Sequence, residues 1–128
     1  MEDKPACKRV LSVGQCYADH LAIAGTLERH FGAETVHADD GAEALARLRQ
    51  ERFALVLVNR VMDRDGSQGL GLIKEMQADE ELRAVPVMLV SNYDDSQAEA
   101  VKHGAKPGFG KAALGQPRML SRVKPFLE

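Results

Sequence analysis

Cysteine is scarce: Cys7 and Cys16 are the two thiols in 128 residues. They form neither a disulfide framework nor a C-x-x-C pair, which points to a reduced, cytoplasmic chain. Charge of one sign is missing as well. The 17 basic and 19 acidic side chains leave a formal charge of −2, so no strong field favours nucleic acid or an anionic membrane. No apolar run approaches the roughly 20 residues that span a bilayer. Met1-Glu2-Asp3-Lys4-Pro5 lacks the apolar segment of a signal peptide. There is no internal repeat, linker or low-complexity segment. The histidines His20, His30, His37 and His103 show no metal-ligand spacing, although His30 reads as a partly buried helix residue. The stretch from Gly104 to Lys111 is one residue too long for a phosphate loop, and Ala112 stands where that loop needs Ser or Thr. The glycines from Gly66 to Gly71 are not a dinucleotide fingerprint in a first β-α turn. What is present is a chain with 45% apolar and 28% charged residues. That suits one globular domain over residues 1–128, able to bury a core without staples, with residues 1–7 as an N-terminal extension.

The apolar residues fall in short runs. Val10–Val13, Phe53–Val58 and Val85–Val90 have strand length and are continuous rather than alternating, as in a parallel sheet buried on both faces. Pro86, without an N–H, is tolerable at a strand start. Glu34–Ala38 and Gly108–Gly110 are weaker strands. Between these runs the period becomes 3.6. Ile23, Leu27, His30 and Phe31 share one helix face, with Asp19 as N-cap. Ala44, Leu45 and Leu48 line a second helix after the Asp40-Gly41 turn, and Leu72, Ile73 and Met76 a third. Ala98, Val101 and Ala105 line a fourth, capped by Asp94-Asp95 and stopped by Lys102-His103-Gly104. Met119, Leu120, Val123, Phe126 and Leu127 line the fifth, with Pro117 in its first turn. Strict alternation predicts an α/β fold: a doubly wound five-stranded parallel sheet of order 2-1-3-4-5 with five helices. Functional groups of such a sheet gather at the carboxyl ends of its strands. Those ends are Gly14-Gln15-Cys16, Asn59-Arg60, Ser91-Asn92 and the segment before Lys111.

Five pieces in order carry a family resemblance. They are Ala38-Asp39-Asp40-Gly41-Ala42-Glu43-Ala44-Leu45, the apolar strand from Phe53 to Asn59, Val85-Pro86-Val87-Met88-Leu89-Val90-Ser91, Gly104-Ala105, and Lys111. Along essentially its whole length the chain resembles the receiver domain of bacterial two-component response regulators, a flavodoxin-like fold. The resemblance implies a phosphorelay protein in which an aspartate accepts a phosphoryl group. An acidic pair after the first strand helps bind magnesium, a lysine contacts the phosphoryl group, and a Ser/Thr hydroxyl bonds it when the domain switches.

Matched to that pattern, Ser91 and Lys111 are retained and the carboxylates are not. Asn59 stands at the acceptor position, and its amide is a poor nucleophile without charge. Gly14 and Gln15 stand at the acidic pair, so magnesium binding is expected to be absent or very weak, with no cofactor. Gly108 replaces the aromatic switch residue, with Phe109 beside it facing the other side of the strand. Asp63 stands where the family has a proline, and Ala112 replaces another proline after the lysine. Asp63 and Asp65 read as solvated loop acids rather than displaced acceptors, and Cys16 as a packing residue rather than a redox thiol. Lys111 needs a polar partner, which the Asn59 side-chain oxygen or the Ser91 hydroxyl would supply. With no carboxylate expected nearby, it leaves a locally positive pocket able to hold a small anion or a partner's acidic side chain. The reading is a pseudo-receiver: no enzyme, but a cytoplasmic signalling adaptor, monomeric or weakly dimeric. Its protein partner, a histidine kinase or another signalling protein, is expected on the face of the fourth helix, fifth strand and fifth helix. Two alternatives stay open: a phosphorylatable response regulator in which Asn59 is engineered or bypassed, and a small flavodoxin-like cofactor-binding protein.

Overall fold

Ten regular elements alternate along residues 8–128, which the structure, a computed structural model, describes. Cys7 and the expected N-terminal extension lie outside the described residues. The elements are β1 (Arg9–Val13), α1 (Tyr17–Phe31), β2 (Glu34–Ala38), α2 (Gly41–Gln50), β3 (Leu55–Asn59), α3 (Gly69–Ala78), β4 (Val87–Val90), α4 (Asp94–Lys102), β5 (Lys106–Phe109) and α5 (Pro117–Leu127). A single 3-10 turn, Lys111–Ala113, joins β5 to α5. All strand pairs are parallel and the order is β2-β1-β3-β4-β5, as the alternation predicts.

The continuous apolar runs explain the layering. Leu11, Val13, Val56, Val58, Val87 and Leu89 pack on one side against α2 and α3, through Ala44, Leu72, Ile73 and Met76. Val10, Leu55, Leu57, Met88 and Val90 pack on the other against α1 and α5, through Ile23, Leu27, Met119, Val123 and Leu127. Neighbouring strand residues face opposite sides, so strands covered on both faces have no polar alternation. Local chemistry sets the helix ends. Asp40 caps α2 by accepting from the Glu43 N–H at 2.9 Å, and Glu43 accepts from the Asp39 N–H at 2.8 Å. Gly32 ends α1 in the left-handed region, with its N–H on the Glu28 carbonyl and that of Ala33 on the Leu27 carbonyl.

Several boundaries differ from the sequence expectation. β3 runs to Asn59, β4 begins after Pro86, and β5 lies upstream of Gly110, from Lys106. Asp19 is not the N-cap of α1; Cys16 is, without a side-chain capping bond, and Asp19 sits in the first turn. Asp94 and Asp95 likewise lie in the first turn of α4 behind Tyr93, where they complement the helix dipole without capping it. His30 is exposed with the rest of the last turn of α1, where Phe31 alone covers the core. The face of α4 is rotated: Ala98 and Val101 point to solvent, and Ala100 is buried. The cause is polar. Gln97 faces the sheet and donates to the carbonyls of Leu89 at 2.8 Å and Ser91 at 3.1 Å, so satisfying backbone groups outweighs burying two small apolar side chains.

Candidate functional site

At the carboxyl end of the sheet, Gly14 leaves β1 at φ +76°, a conformation that favours glycine. Its N–H donates to the Ala38 carbonyl at 2.8 Å, and its carbonyl accepts from the Asp63 N–H at 2.8 Å. A Cβ at this position would overlap Sδ of Met62, a side chain only 2% exposed. The thioether thus fills the space an acidic side chain at 14 would start from. Gln15 is 2% exposed, and its carbonyl accepts from His37 Nε2 at 3.0 Å. Its side-chain amide has no hydrogen-bond partner.

Asn59 is fixed from both sides. Its Nδ2 donates to the Val61 carbonyl at 2.7 Å and to the Gly14 carbonyl at 3.1 Å, tying the exit of β3 to the exit of β1. A carboxylate here would set an oxygen against two carbonyl oxygens, taking this donor from Val61 and leaving Gly14 with the Asp63 N–H alone. The cavity beside it, about 250 Å³, is lined by Asn59, Ser91, Lys111 and Tyr93 among others, but by neither Gly14 nor Gln15. The Ser91 hydroxyl accepts from the Tyr93 N–H at 3.1 Å, at the start of α4. The Arg60 guanidinium lies 5.0 Å from the Tyr93 ring centroid, a cation–π contact that spacing did not suggest.

Lys111 departs most from expectation. Its Nζ meets neither Asn59 nor Ser91 but Asp19 Oδ2 of α1, at 2.8 Å. The positive, carboxylate-free pocket expected from the sequence is therefore corrected: Asp19 supplies the acid and neutralises the lysine. The Lys111 ammonium, with a bond from the Cys16 thiol, holds the Asp19 carboxyl below its ordinary range. Asp63 is exposed, and Asp65 accepts from the Ser67 N–H and hydroxyl at 2.9 and 2.7 Å. Neither lines the Asn59 cavity. Among the described residues no group of three or more His, Cys, Asp or Glu side chains could hold a metal ion.

Residues 19–123 match the model of the response regulator receiver domain. The chain belongs to that family. Two curated relatives are the polar-differentiation response regulator DivK of Brucella anthropi and the chemotaxis protein CheY-3 of Vibrio cholerae. DivK is 28% identical over 97 residues, covering 75% of this chain and 77% of that protein. CheY-3 is 35% identical over 74 residues, covering 58% of this chain and 54% of that protein. Among solved structures, NtrX from Brucella abortus superposes with a TM-score of 0.79 at 23% identity, over 94% of this chain and 27% of that one. The receiver thus spans about half of CheY-3 and about a quarter of the NtrX chain.

One more part of this receiver escaped the sequence reading. Gly108 is buried, and a Cβ there would overlap the Leu89 carbonyl and lie 3.0 Å from Gln97 Oε1. Gln97 accepts from the Gly108 N–H at 3.1 Å while its Nε2 bonds the neighbouring carbonyls. Where the family resemblance places a switch aromatic, the space belongs to a glutamine clip. Phe109 packs on the opposite side, into the α1–α5 core, as the alternation predicts. Arg122 of α5 donates to the Gly108 carbonyl. Toward the opposite edge of the sheet, at β2, His20 is 7% exposed and its ring lies 4.6 Å from that of His37. Burial, and then the neighbouring His37, push its pKa down.

Proposed function

We propose that this receiver domain is a signalling adaptor that works by protein contact and is not phosphorylated on aspartate. The observation that carries the reading is the Asn59 amide, which donates to the Gly14 and Val61 carbonyls at the head of β3. A carboxylate nucleophile must leave its oxygens free for the donor and the metal. This side chain is instead a structural tie that only an amide can make. Three further contacts agree. Met62 fills the space above Gly14, Asp19 neutralises Lys111, and Gln97 occupies the place of a movable aromatic. Each of them holds the region in one arrangement, and a switch needs two.

On this reading the domain is no enzyme, takes no magnesium or other cofactor, and acts in the cytoplasm. No helix among the described residues is long and apolar enough to cross a membrane. Its partner is a histidine kinase or another signalling protein, engaged on the face of α4, β5 and α5, and the domain itself is a monomer or weak dimer. That relatives bear the names of response regulators for polar differentiation and chemotaxis supports a signalling role. The decisive test is incubation with a small acyl phosphate and magnesium, followed by intact mass. The expected result is an unchanged mass. An added phosphoryl group on this chain would overturn the proposal.

A further inference from the structure

α1 meets the sheet in two unlike halves. Its C-terminal half buries Ile23, Leu27 and Phe31 in the core that it shares with α5. Its N-terminal half covers polar groups. Val10 of β1 packs on the α1 side, and strand residues two apart share a face. Ser12, two residues along β1, therefore turns to α1, as do Thr35 and His37, which pair with Val10 and Ser12 across β2. Every buried side-chain atom without a hydrogen-bond partner among the described residues belongs to this region: Ser12 Oγ, the Gln15 amide, His20 Nδ1 and Thr35 Oγ1. Buried polar groups are ordinarily paired, so this is the least satisfied packing surface of the described fold.

The first turn of α1 sits on that surface. Cys16, at its N-cap, makes no side-chain capping bond, and Tyr17 is 66% exposed. Two consecutive side chains tie the turn to other elements: Asp19 to Lys111 at 2.8 Å, and His20 to the His37 ring at 4.6 Å. We infer that His20 and His37 form an acid-sensitive latch: protonation drives His20 from its place against His37, the first turn of α1 lifts, and Asp19 withdraws from Lys111. A neutral imidazole fits this buried site. An imidazolium there would be desolvated, would carry a proton on an Nδ1 that has no acceptor, and would face a second imidazole. The groups around it do not offset that charge. From its own helix His20 faces the Tyr17 ring at 6.0 Å, and from β2 the His37 ring, with Asp39 behind it at 3.7 Å from His37 Nδ1. β1 brings the uncharged Ser12 and Gln15, and α5 meets α1 through the apolar Met119, Val123 and Leu127. Asp19, the neighbouring acid on α1, is engaged by Lys111. Burial, and then His37, lower the His20 pKa, so the latch is closed above the ordinary value of 6.5 and opens as pH falls through the folded pKa. Ile23 and Leu27 stay in the core and serve as the pivot.

The latch differs from a general weakening in acid because it is local, and it stands whether or not the chain takes a phosphoryl group. Isotope-labelled protein is titrated from pH 8 to pH 5 by NMR. The amides of Asp19, Leu21 and Lys111 are expected to shift with the same midpoint as the His20 ring, below 6.5. The Asp19 carboxyl, held below its ordinary 3.8, does not titrate in that window. Protection from hydrogen exchange, corrected for the intrinsic rate, should fall about tenfold more at Leu21 than at Leu57 in the centre of the sheet. His20→Phe is expected to abolish the response at Lys111. His37→Gln, which keeps a donor for the Gln15 carbonyl, is the second variant and should move the His20 midpoint upward, because one of its two depressing causes is removed. A His20 ring that stays neutral down to pH 5 overturns the inference. So does a Lys111 amide that ignores the His20 midpoint or responds equally in His20→Phe, or a loss of protection as large at Leu57 as at Leu21.

Discussion

The carboxyl edge of this sheet has two corners built on opposite terms. Around Asn59 the groups are spoken for: the amide on two carbonyls, Met62 against Gly14, Lys111 on Asp19. Around Arg118 and Arg122 two guanidiniums face a hollow with no carboxylate bound to them. The first corner lies at the carboxyl ends of β1 and β3, and it is closed by internal bonds. The second lies at the sheet edge and has been left open. The difference teaches that a corner without carboxylates at 14, 15 and 59 is not for that reason an empty one. Its polar atoms must be satisfied by something, and here the rest of the chain does it.

The largest expected effect comes from forcing an acid back into the closed corner. Gly14→Asp must hold a non-glycine residue at φ +76° and displace the Met62 thioether. Strain and overpacking together predict a loss of about 3 kcal/mol in urea unfolding. Pairing it with Met62→Ala should relieve only the steric share, because the backbone conformation remains. A Gly14→Asp variant as stable as the parent would mean the corner is not closed by Met62.

Next is the clip. Gln97→Ala orphans the Gly108 N–H and removes donors from the Leu89 and Ser91 carbonyls. A loss of about 2 kcal/mol follows, with faster hydrogen exchange at Gly108. Asn59→Asp is expected to cost a similar amount or slightly less, about 1.5 kcal/mol, because two donated bonds become two facing oxygens. It should not restore phosphorylation, since Gly14 and Gln15 bring no metal-binding carboxylate. Phosphoryl uptake by that single variant, read by intact mass, would place the block at Asn59 alone.

The sheet was legible because its strands are continuous apolar runs, and such runs leave little choice but a parallel, doubly covered sheet. The site was legible only as absences at 14, 15 and 59. Its replacements were not. Asp19 reads as a helix cap at its own position; only the turn from Cys16 into α1 brings it to Lys111, 92 residues later in the chain. Gln97 sits in an otherwise soluble-looking helix, and nothing in its neighbours marks it as the residue that faces the sheet. The apolar stripe drawn through Ala98 and Val101 failed for the same reason, since α4 is oriented by hydrogen bonds and not by its sparse hydrophobic residues. Hydrophobic periodicity shows which elements form, whereas long-range polar pairing is invisible to it.

A smaller effect is set by pH. His20 is buried and its pKa is depressed below the ordinary value of 6.5, chiefly by burial and then by His37. The unfolded chain therefore takes up a proton before the folded one does. Stability is full above pH 6.5 and falls as pH drops from there through the folded pKa. His20 faces the His37 ring, the Tyr17 ring at 6.0 Å and, through His37 Nδ1, Asp39 at 3.7 Å. A melting series between pH 8 and pH 5 should show the decline in the parent and a flatter profile in His20→Phe. Equal slopes would assign the decline to other groups.

The smallest expected effect on stability separates the two corners most cleanly. Asp19 and Lys111 are each more than a third exposed, at 39% and 36%, so their ion pair is screened and Asp19→Asn should cost no more than about 0.5 kcal/mol. Its consequence for binding is larger, because it frees the ammonium beside the cavity of Asn59 and Ser91. Sulfate or phosphate should then perturb the Ser91 and Asn92 amides in Asp19→Asn but not in the parent, where the lysine is neutralised internally. If the parent responds equally, Asp19 does not close that corner, and the contrast with the arginine corner fails. If only the variant responds, one carboxylate from α1 separates a quiet pocket from an anion site, and Asp19 closes by an ion pair the corner that the Asn59 amide closes by hydrogen bonds.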